Sequence, residues 1–176
     1  MKPIFLIGFP GCGKTTLGCA VAAVSPLSFI DLDEAVAARA GKSVPRIFAE
    51  DGEEAFRRLE AETLAALCAQ PDTLIATGGG TPCVAGLMDA MLANGTVVWL
   101  TASRERLLDR LIEGRAKRPH IAHEDAEGIG RYIDSLLPLR TPFYERAHTR
   151  FDANRLDTAD ELAESVAKFL TTFNLK

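Results

Sequence analysis

The most specific chemical pattern in the chain is a glycine-rich run close to its beginning. Residues 8–15, GFPGCGKT, satisfy GxxxxGK[ST] and stand between an apolar stretch and a helical pattern. Glycines let the main chain turn consecutive N–H groups toward phosphates, and the start of the following helix adds its positive end. The run therefore predicts a phosphate-binding loop for a nucleotide, with a purely structural turn as the weaker interpretation.

Side chains of this loop have separate predicted roles. Lys14 is expected to reach the β- and γ-phosphates as a point charge, and Thr15 to offer its hydroxyl to Mg²⁺. The nucleotide contacts predicted from this part of the chain are Gly11, Cys12, Gly13, Lys14, Thr15 and Thr16. The loop alone does not distinguish switches, motors, synthetases and kinases.

Two carboxylates, Asp31 and Asp33, end the second apolar run. If the strand continues through them in extended form, residues two apart point to the same side, so both face the loop. Asp31 could then hold Mg²⁺, directly or through water, while Asp33 accepts a hydrogen bond from an acceptor hydroxyl. The alternative is an acidic cap, with Asp33 capping the helix that follows.

Other classes of protein with such a loop carry patterns that this sequence lacks. A GTPase switch needs DxxG directly after a strand, and residues 125–128 match DxxG without a preceding strand. The apolar run at 73–77 ends in three glycines instead of the acid of a Walker B strand, and the chain is too short for a motor domain. Phosphoryl transfer to a small molecule is the chemistry that these observations favour.

The remaining motifs occur in a fixed order along the chain. After the loop and the two aspartates come FxxxGExxFRxxE at 48–60, GGG at 78–80, a basic segment ending in Arg118-Pro119, and RxPxY at 140–144. This ordered set covers nearly the whole chain and resembles the shikimate kinase family. The resemblance implies transfer of the γ-phosphoryl group of ATP to the 3-hydroxyl of shikimate, which gives 3-phosphoshikimate on the route to chorismate and the aromatic amino acids.

The same resemblance implies a set of site residues. The implied catalytic groups are Lys14, Asp33 and Arg118, and the implied Mg²⁺ ligands are Thr15 and Asp31. The implied shikimate contacts are Asp33, Arg57, Gly79, Gly80 and Arg140, with Glu60 behind Arg57. The implied nucleotide contacts outside the loop are Arg110, Arg118 and Arg155. Two departures from the family stand out: Pro119-His120-Ile121 follows the lid arginine where members commonly carry leucines, and Cys12 replaces the more usual serine.

Several of these motifs also have a physical interpretation of their own. Glu60 lies three residues after Arg57 on a predicted helix, so it can fix the guanidinium, although a surface ion pair is the alternative. Arg140 alone is better explained as a solvated surface arginine, but two arginines in one pocket make a clamp for a carboxylate. The glycines at 78–80 follow a buried strand, where open α/β folds bind ligands, although a flexible turn is the alternative.

The elements that must position these residues alternate between strands and helices. Strands are expected at 4–7, 28–31, 73–77, 96–100 and 148–152, and the clearest helices at 14–23, 53–69 and 160–170. This alternation predicts a parallel sheet in a three-layer α/β/α domain. The family resemblance implies, more specifically, a P-loop kinase fold of the adenylate kinase type with a central parallel five-stranded sheet. One domain is expected over 1–176. Segments at about 32–61, broken by Gly41, Pro45 and Gly52, and about 112–125 fit poorly, and we expect a substrate-binding insertion and a lid.

Composition narrows the choice of partners. The net charge of −4 disfavours a broad nucleic-acid surface, and no stretch resembles a signal peptide or a membrane span. Four scattered cysteines without a CxxC pair disfavour a zinc site or a disulfide framework. We therefore expect a cytoplasmic monomer that uses ATP, Mg²⁺ and shikimate and binds neither nucleic acid nor membrane. Two alternatives stay open: a gluconate or nucleoside-monophosphate kinase, and a nucleotide-binding regulatory protein without turnover.

Overall fold

The computed structural model describes residues 1–118 and 121–175. One sheet contains the strands β1 (Ile4–Ile7), β2 (Ser28–Asp31), β3 (Thr73–Ala76), β4 (Thr96–Thr101) and β5 (Thr149–Asp152). Every neighbouring pair is parallel, and the strand order is β2-β3-β1-β4-β5. All five predicted strands are confirmed, and no end differs from its prediction by more than about one residue, the usual uncertainty of an element boundary.

Helices join the strands and cover the sheet. In the described residues they are α1 (Lys14–Ala22), α2 (Leu32–Ala40), α3 (Val44–Glu50), α4 (Gly52–Cys68), α5 (Leu87–Asn94), α6 (Arg104–Glu113), α7 (Ala126–Tyr144) and α8 (Ala159–Thr172). Helix α1 packs on β1, β2, β3 and α8, while α5 packs on β4 and α4. Strands β1 and β3 are buried along their whole length, as expected when helices cover both faces of a parallel sheet. The three-layer α/β/α prediction is confirmed.

The segment between β2 and β3 forms three successive helices. Helix α2 ends at Gly41, whose φ of 65° suits a residue without a β-carbon, and α4 begins at Gly52. Pro45 was expected to break a helix, but it lies in the first turn of α3, where its missing N–H costs no hydrogen bond. Helix α4, predicted at 53–69, buries Phe56, Leu64 and Leu67.

Two residues outside the motifs, Trp99 and His148, have packing roles. Trp99 lies in β4, and the Nδ1 atom of His148 accepts a hydrogen bond from the Val97 N–H at 3.0 Å, next to the start of β5. Pro119 and His120, on which part of the lid prediction falls, lie outside the described residues. Within 1–118 and 121–175, no helix is both long and apolar enough to cross a membrane.

Candidate active site

A cavity of about 900 Å³ opens at the carboxyl edge of the sheet, beside the end of β1. This is the edge at which ligands of open α/β folds bind, and the chain crosses from one side of β1 to the other between β3 and β4. The predicted site residues that line it are Gly11, Gly13, Lys14, Thr15, Thr16, Asp31, Asp33, Arg57, Glu60, Gly79, Gly80, Arg110, Arg118 and Arg140. Residues from distant parts of the sequence therefore share one site.

The glycine-rich loop joins β1 to α1 and forms one wall of the cavity. Gly13 caps α1 in the left-handed region at φ 100°, and a β-carbon there would also overlap Leu156, so the position requires glycine. The N-terminus of α1 then faces the cavity with its positive end. Cys12 is buried, and its N–H donates to the Phe9 carbonyl at 3.1 Å, so in this structure that donor serves the loop itself.

Lys14 folds back over the loop that carries it. Its ammonium group donates to the carbonyls of Gly8 at 2.7 Å and Phe9 at 3.2 Å, and it lies 3.7 Å from the Cys12 sulfur. These main-chain partners hold a positive charge above the loop, and no carboxylate in residues 1–118 or 121–175 forms an ion pair with it. The arrangement suits an anionic group such as a triphosphate.

Asp31 and Asp33 both line the cavity, but the geometry that was expected to bring them together is wrong. Asp31 ends β2 and caps α2, because its Oδ1 accepts from the Asp33 N–H at 3.0 Å. Asp33 therefore lies in the first turn of a helix and not in an extended strand, and Asp31, not Asp33, is the cap. The other oxygen of Asp31 accepts from the Thr15 hydroxyl at 3.0 Å, which places the two predicted Mg²⁺ ligands side by side.

The carboxyl group of Asp33 has an unusual acidity. Burial raises its pKa from 3.8 to about 6, and the charges of Asp31 and Glu60 add to the rise, while Lys14 and Arg57 oppose it. Its Oδ1 lies against the main chain of Gly78, where a β-carbon would stand 3.1 Å away. A carboxyl group with a pKa near neutrality, facing a phosphate loop, has the properties expected of a group that exchanges a proton.

Arg57 is held on α4 by two carboxylates. Its Nη1 donates to Glu60 Oε2 at 2.9 Å, as the sequence predicts, and Nη2 donates to Glu53 at 3.3 Å. Glu60 is only 1% exposed, and its second oxygen accepts from the Thr81 hydroxyl at 2.6 Å. Both oxygens of the buried Glu60 carboxylate thus have partners. Glu60 therefore orients the Arg57 guanidinium without leaving a buried charge unpaired.

Arg140 reaches the same place from α7. A β-carbon on Gly79 would stand 3.2 Å from its Nη1, and one on Gly80 would stand 3.8 Å from its Nη2 and 3.5 Å from Arg57 Nη2. The two arginines therefore meet over the glycine turn after β3. The guanidinium of Arg140 also lies 5.6 Å from the centre of the Phe9 ring, within the range of a cation–π contact.

The remaining predicted arginines differ in position. Arg118 lines the cavity and donates to the Gly114 carbonyl at 3.0 Å, and burial lowers the pKa of its guanidinium. Arg110 lines it too, but its donors hold Asp157 at 2.6 Å and the carbonyls of Ala153 and Asn154. Arg155 is not among the residues that line the cavity, and it pairs with Glu164 at 3.0 Å.

Sequence reasoning assigned no role to several residues that help to build the site. Tyr132, Thr77 and Leu156 line the cavity, and Thr81 anchors Glu60 from behind the glycine turn. The aromatic residues Phe48 and Phe56 also line it, with their ring centres 4.6 Å apart. The spacing of the two phenylalanines in FxxxGExxF was a usable signal for them, whereas nothing in the local sequence distinguishes Thr77 or Thr81 from other threonines near turns.

The oxygen atoms beside the loop suit a divalent cation that is held partly by the protein and partly by phosphate and water. In the described ranges there is no group of three or more His, Cys, Asp or Glu residues placed to hold a metal ion. The pair formed by Thr15 and Asp31 offers two hard oxygens, and Mg²⁺ in phosphoryl-transfer sites commonly binds through one or two protein oxygens with phosphate and water completing its shell.

A phosphate loop on a parallel β2-β3-β1-β4-β5 sheet, facing acids and a pair of arginines, defines a P-loop kinase for a small anionic acceptor. The family model described as "Shikimate kinase" matches residues 10–171. The chain is 43% identical over 162 residues to the shikimate kinase of Parabacteroides distasonis, an alignment that covers 92% of this chain and 94% of that protein. The chain belongs to the shikimate kinase family.

Solved structures agree with this assignment. A crystal structure of shikimate kinase from Bacteroides thetaiotaomicron superposes with a TM-score of 0.94 at 34% identity and covers 99% of both chains. Shikimate kinase from Acinetobacter baumannii, solved in complex with shikimate, gives a TM-score of 0.84 at 28% identity, covering 100% of this chain and 95% of the other. The two superpositions cover 99% and 100% of this chain.

Proposed function

We propose that this protein transfers the γ-phosphoryl group of ATP to the 3-hydroxyl of shikimate, a step toward chorismate and the aromatic amino acids. One observation carries the proposal: Arg57 and Arg140 meet over the glycine turn in the same cavity that Lys14 and the phosphate loop line. A nucleotide site and a carboxylate clamp therefore share one enclosure, as an ATP-dependent kinase of a hydroxy acid requires.

The side chains divide the work between the two substrates. Arg57 and Arg140 bind the shikimate carboxylate, and Gly79 and Gly80 allow the ring to lie against the main chain. Asp33 accepts a hydrogen bond from the attacking hydroxyl and takes up its proton, which its raised pKa favours. Lys14 and Arg118 neutralise charge that develops on the transferred group, so catalysis is mainly positioning and electrostatics.

The nucleotide side involves several further proposals. Thr15 and Asp31 would hold Mg²⁺, which when bound neutralises charge on the phosphates. Gly11, Cys12, Gly13, Thr16, Arg110 and Arg155 are proposed to contact the nucleotide, and segments 32–61 and 112–125 to act as the acceptor-binding segment and the lid. A single-domain monomer that works in the cytoplasm is part of the same proposal.

A direct assay distinguishes this activity from the alternatives. ADP release, coupled to a detecting enzyme, is measured with shikimate, gluconate, AMP and CMP as acceptors. We expect turnover with shikimate and little with the other three, because two arginines and Asp33 suit a hydroxy acid better than a nucleobase. A preference for gluconate or a nucleotide, or no release with any acceptor, would reject the proposal.

Lys14→Ala supplies the matched negative variant. The substitution should lower turnover on the order of a hundredfold or more and leave the fold intact, because the ammonium contacts only loop atoms. Lys168→Ala on α8 removes a lysine that lies over the Phe151 ring and does not line the cavity, and it should keep wild-type turnover. Near-normal activity in Lys14→Ala would overturn the phosphate-loop assignment.

A further inference from the structure

The last residue of α7, Tyr144, has no role in the mechanism above, although its ring is completely buried. Its hydroxyl donates to the main-chain carbonyl of Gly79 at 2.6 Å. Gly79 belongs to the turn on which the shikimate ring is proposed to lie. The phenol therefore contacts the main chain of the proposed acceptor site, although Tyr144 itself does not line the cavity.

The same phenol also interacts with the acceptor-binding arginine. Arg140 precedes Tyr144 by one helical turn, its positive charge acts on the phenol, and its Nη1 lies 3.2 Å from where a β-carbon on the same Gly79 would stand. A phenol can donate one hydrogen bond and accept others, so it can serve the Gly79 carbonyl and the guanidinium together. Burial raises the pKa of Tyr144, which keeps the donating proton in place across the working range of pH.

Helix α7 needs such an anchor at the end that carries Arg140. Pro138 and Pro142 lie inside the helix, and each removes one N–H from its hydrogen-bond ladder. The last two turns are therefore held less firmly by the helix itself. The Tyr144 hydroxyl bonds to a residue 65 positions earlier in the chain, and its ring packs on Trp99 at 5.8 Å between centres.

We propose that Tyr144 is a positioning residue, which sets the distance between the Arg140 guanidinium and the Gly79-Gly80 main chain and thereby the affinity for the acceptor carboxylate. This inference rests on the proposed function. It assigns Tyr144 no contact with either substrate. The effect is expected in the binding of the acceptor and not in the binding of the nucleotide.

The test is Tyr144→Phe, which keeps the buried ring and removes the hydroxyl. The Michaelis constant for shikimate should rise about three- to tenfold, as expected for the loss of a net hydrogen bond, while kcat changes less and the Kd for ATP stays the same. A merely structural residue would lower the thermal midpoint and leave the Michaelis constant for shikimate within its error. That result would overturn the proposal, and so would an equal loss of affinity for both substrates.

Thr73→Val, at the start of β3, is the matched control. The Thr73 hydroxyl also donates to a main-chain carbonyl, that of Pro71 at 2.9 Å, but at the opposite end of β3 from the glycine turn. Both variants lose one partly buried hydrogen bond, so both should lose some stability. Only Tyr144→Phe should change the Michaelis constant for shikimate, and a similar change in Thr73→Val would show that the effect is not specific.

A double-mutant cycle tests whether Tyr144 acts through Arg140. In the Arg140→Ala background, Tyr144→Phe should raise the Michaelis constant for shikimate by less than half of its single-variant factor, because the group that it positions is gone. Fully additive effects would overturn that part of the inference. Wild-type protein that fails to phosphorylate shikimate would reject the proposed function itself, so the two failures are distinguishable.

Discussion

The raised pKa of the Asp33 carboxyl group should make turnover depend on pH. Its pKa of about 6 means that the carboxylate, which we propose accepts the proton of the attacking hydroxyl, becomes protonated on acidification. We expect turnover to fall below about pH 6, and Asp33→Asn to lose roughly 10²–10⁴ in kcat together with this pH limb. Less loss is expected if phosphoryl transfer is so dissociative that early deprotonation is unnecessary. Steady-state kinetics against pH measures both, and full turnover in Asp33→Asn would remove Asp33 from the chemistry.

The same carboxyl group should lower the stability of the apo protein at neutral pH. Because its folded pKa lies above the unfolded one, the folded state binds the proton more tightly, so stability falls as pH rises from about 4 to about 6 and then levels off. A rise from 3.8 to about 6 corresponds to at most about 3 kcal/mol. Asp33→Asn should therefore unfold at higher urea than wild type at about pH 8 and at similar urea at about pH 4. Lower stability at the higher pH would contradict this.

Arg57 and Arg140 should contribute to the affinity for the acceptor and little to that for ATP. Arg57→Ala or Arg140→Ala is expected to raise the Michaelis constant for shikimate about ten- to a hundredfold, since each removes a charge-assisted hydrogen bond. Arg39→Ala removes an exposed arginine that pairs with Glu62 between α2 and α4, and it serves as the control. Variants that lost ATP binding and kept shikimate affinity would invert the proposed arrangement of the site.

Those two variants should differ in stability. Arg57→Ala leaves the buried Glu60 with Thr81 as its remaining bonded partner among those described, whereas Arg140 forms no ion pair with a described carboxylate. Removing one partner of a buried ion pair is strongly destabilising because the other charge stays buried. Denaturant unfolding should therefore show the larger loss for Arg57→Ala.

At the scale of elements, Asp31 both caps α2 and holds the Thr15 hydroxyl, and two substitutions separate these roles. Asparagine is as good a cap as aspartate, so Asp31→Asn should keep the stability of the protein while turnover falls, and added Mg²⁺ should partly restore turnover. Asp31→Ala should also lose about 1 kcal/mol of stability. Equal stability losses in both variants, with no response to Mg²⁺, would leave Asp31 as a cap alone.

How far the elements could be predicted depends on where their signals lie in the chain. The strands were predictable because short apolar runs bounded by turn residues are local patterns. The start of α2 was not, because an aspartate suits both a strand end and a helix cap, and Asp31 is both: it ends β2 and accepts from the Asp33 N–H. Pro45 was misplaced for a similar reason, since proline is compatible with both the end and the first turn of a helix.

Site residues were likewise predictable only where their signal was local in the sequence. Arg57 and Glu60 were predictable as a pair because their spacing on one helix brings them together. The bond from Tyr144 to Gly79 joins residues 65 positions apart and has no local signal, although both stand in recognised motifs. Arg155 was expected at the nucleotide on resemblance alone, and the structure pairs it with Glu164 instead of placing it among the cavity-lining residues.

For the whole molecule, substrate binding should be visible as added thermal stability. A ligand at a hundred times its Kd adds about 2.7 kcal/mol to the folded state, which for a chain of this length raises the melting midpoint by roughly 5–10 °C. Saturating ATP and saturating shikimate should each produce such a shift. In Arg140→Ala the shift with shikimate should fall by half or more and that with ATP should stay, whereas loss of both would indicate a damaged fold.

Trp99 gives the protein an internal optical reporter. It is the single tryptophan of the chain and lies on β4. The centre of its ring lies 5.8 Å from that of Tyr144 and 4.7 Å from the Arg150 guanidinium. A β-carbon on Gly8 would stand 3.4 Å from its indole, so the same ring also borders the phosphate loop. Indole emission depends on neighbouring charges and polarity, so its intensity or wavelength should change when either substrate binds. Titrating ATP or shikimate against intrinsic fluorescence would then give both dissociation constants without labels, and Trp99→Phe should abolish the signal while binding persists.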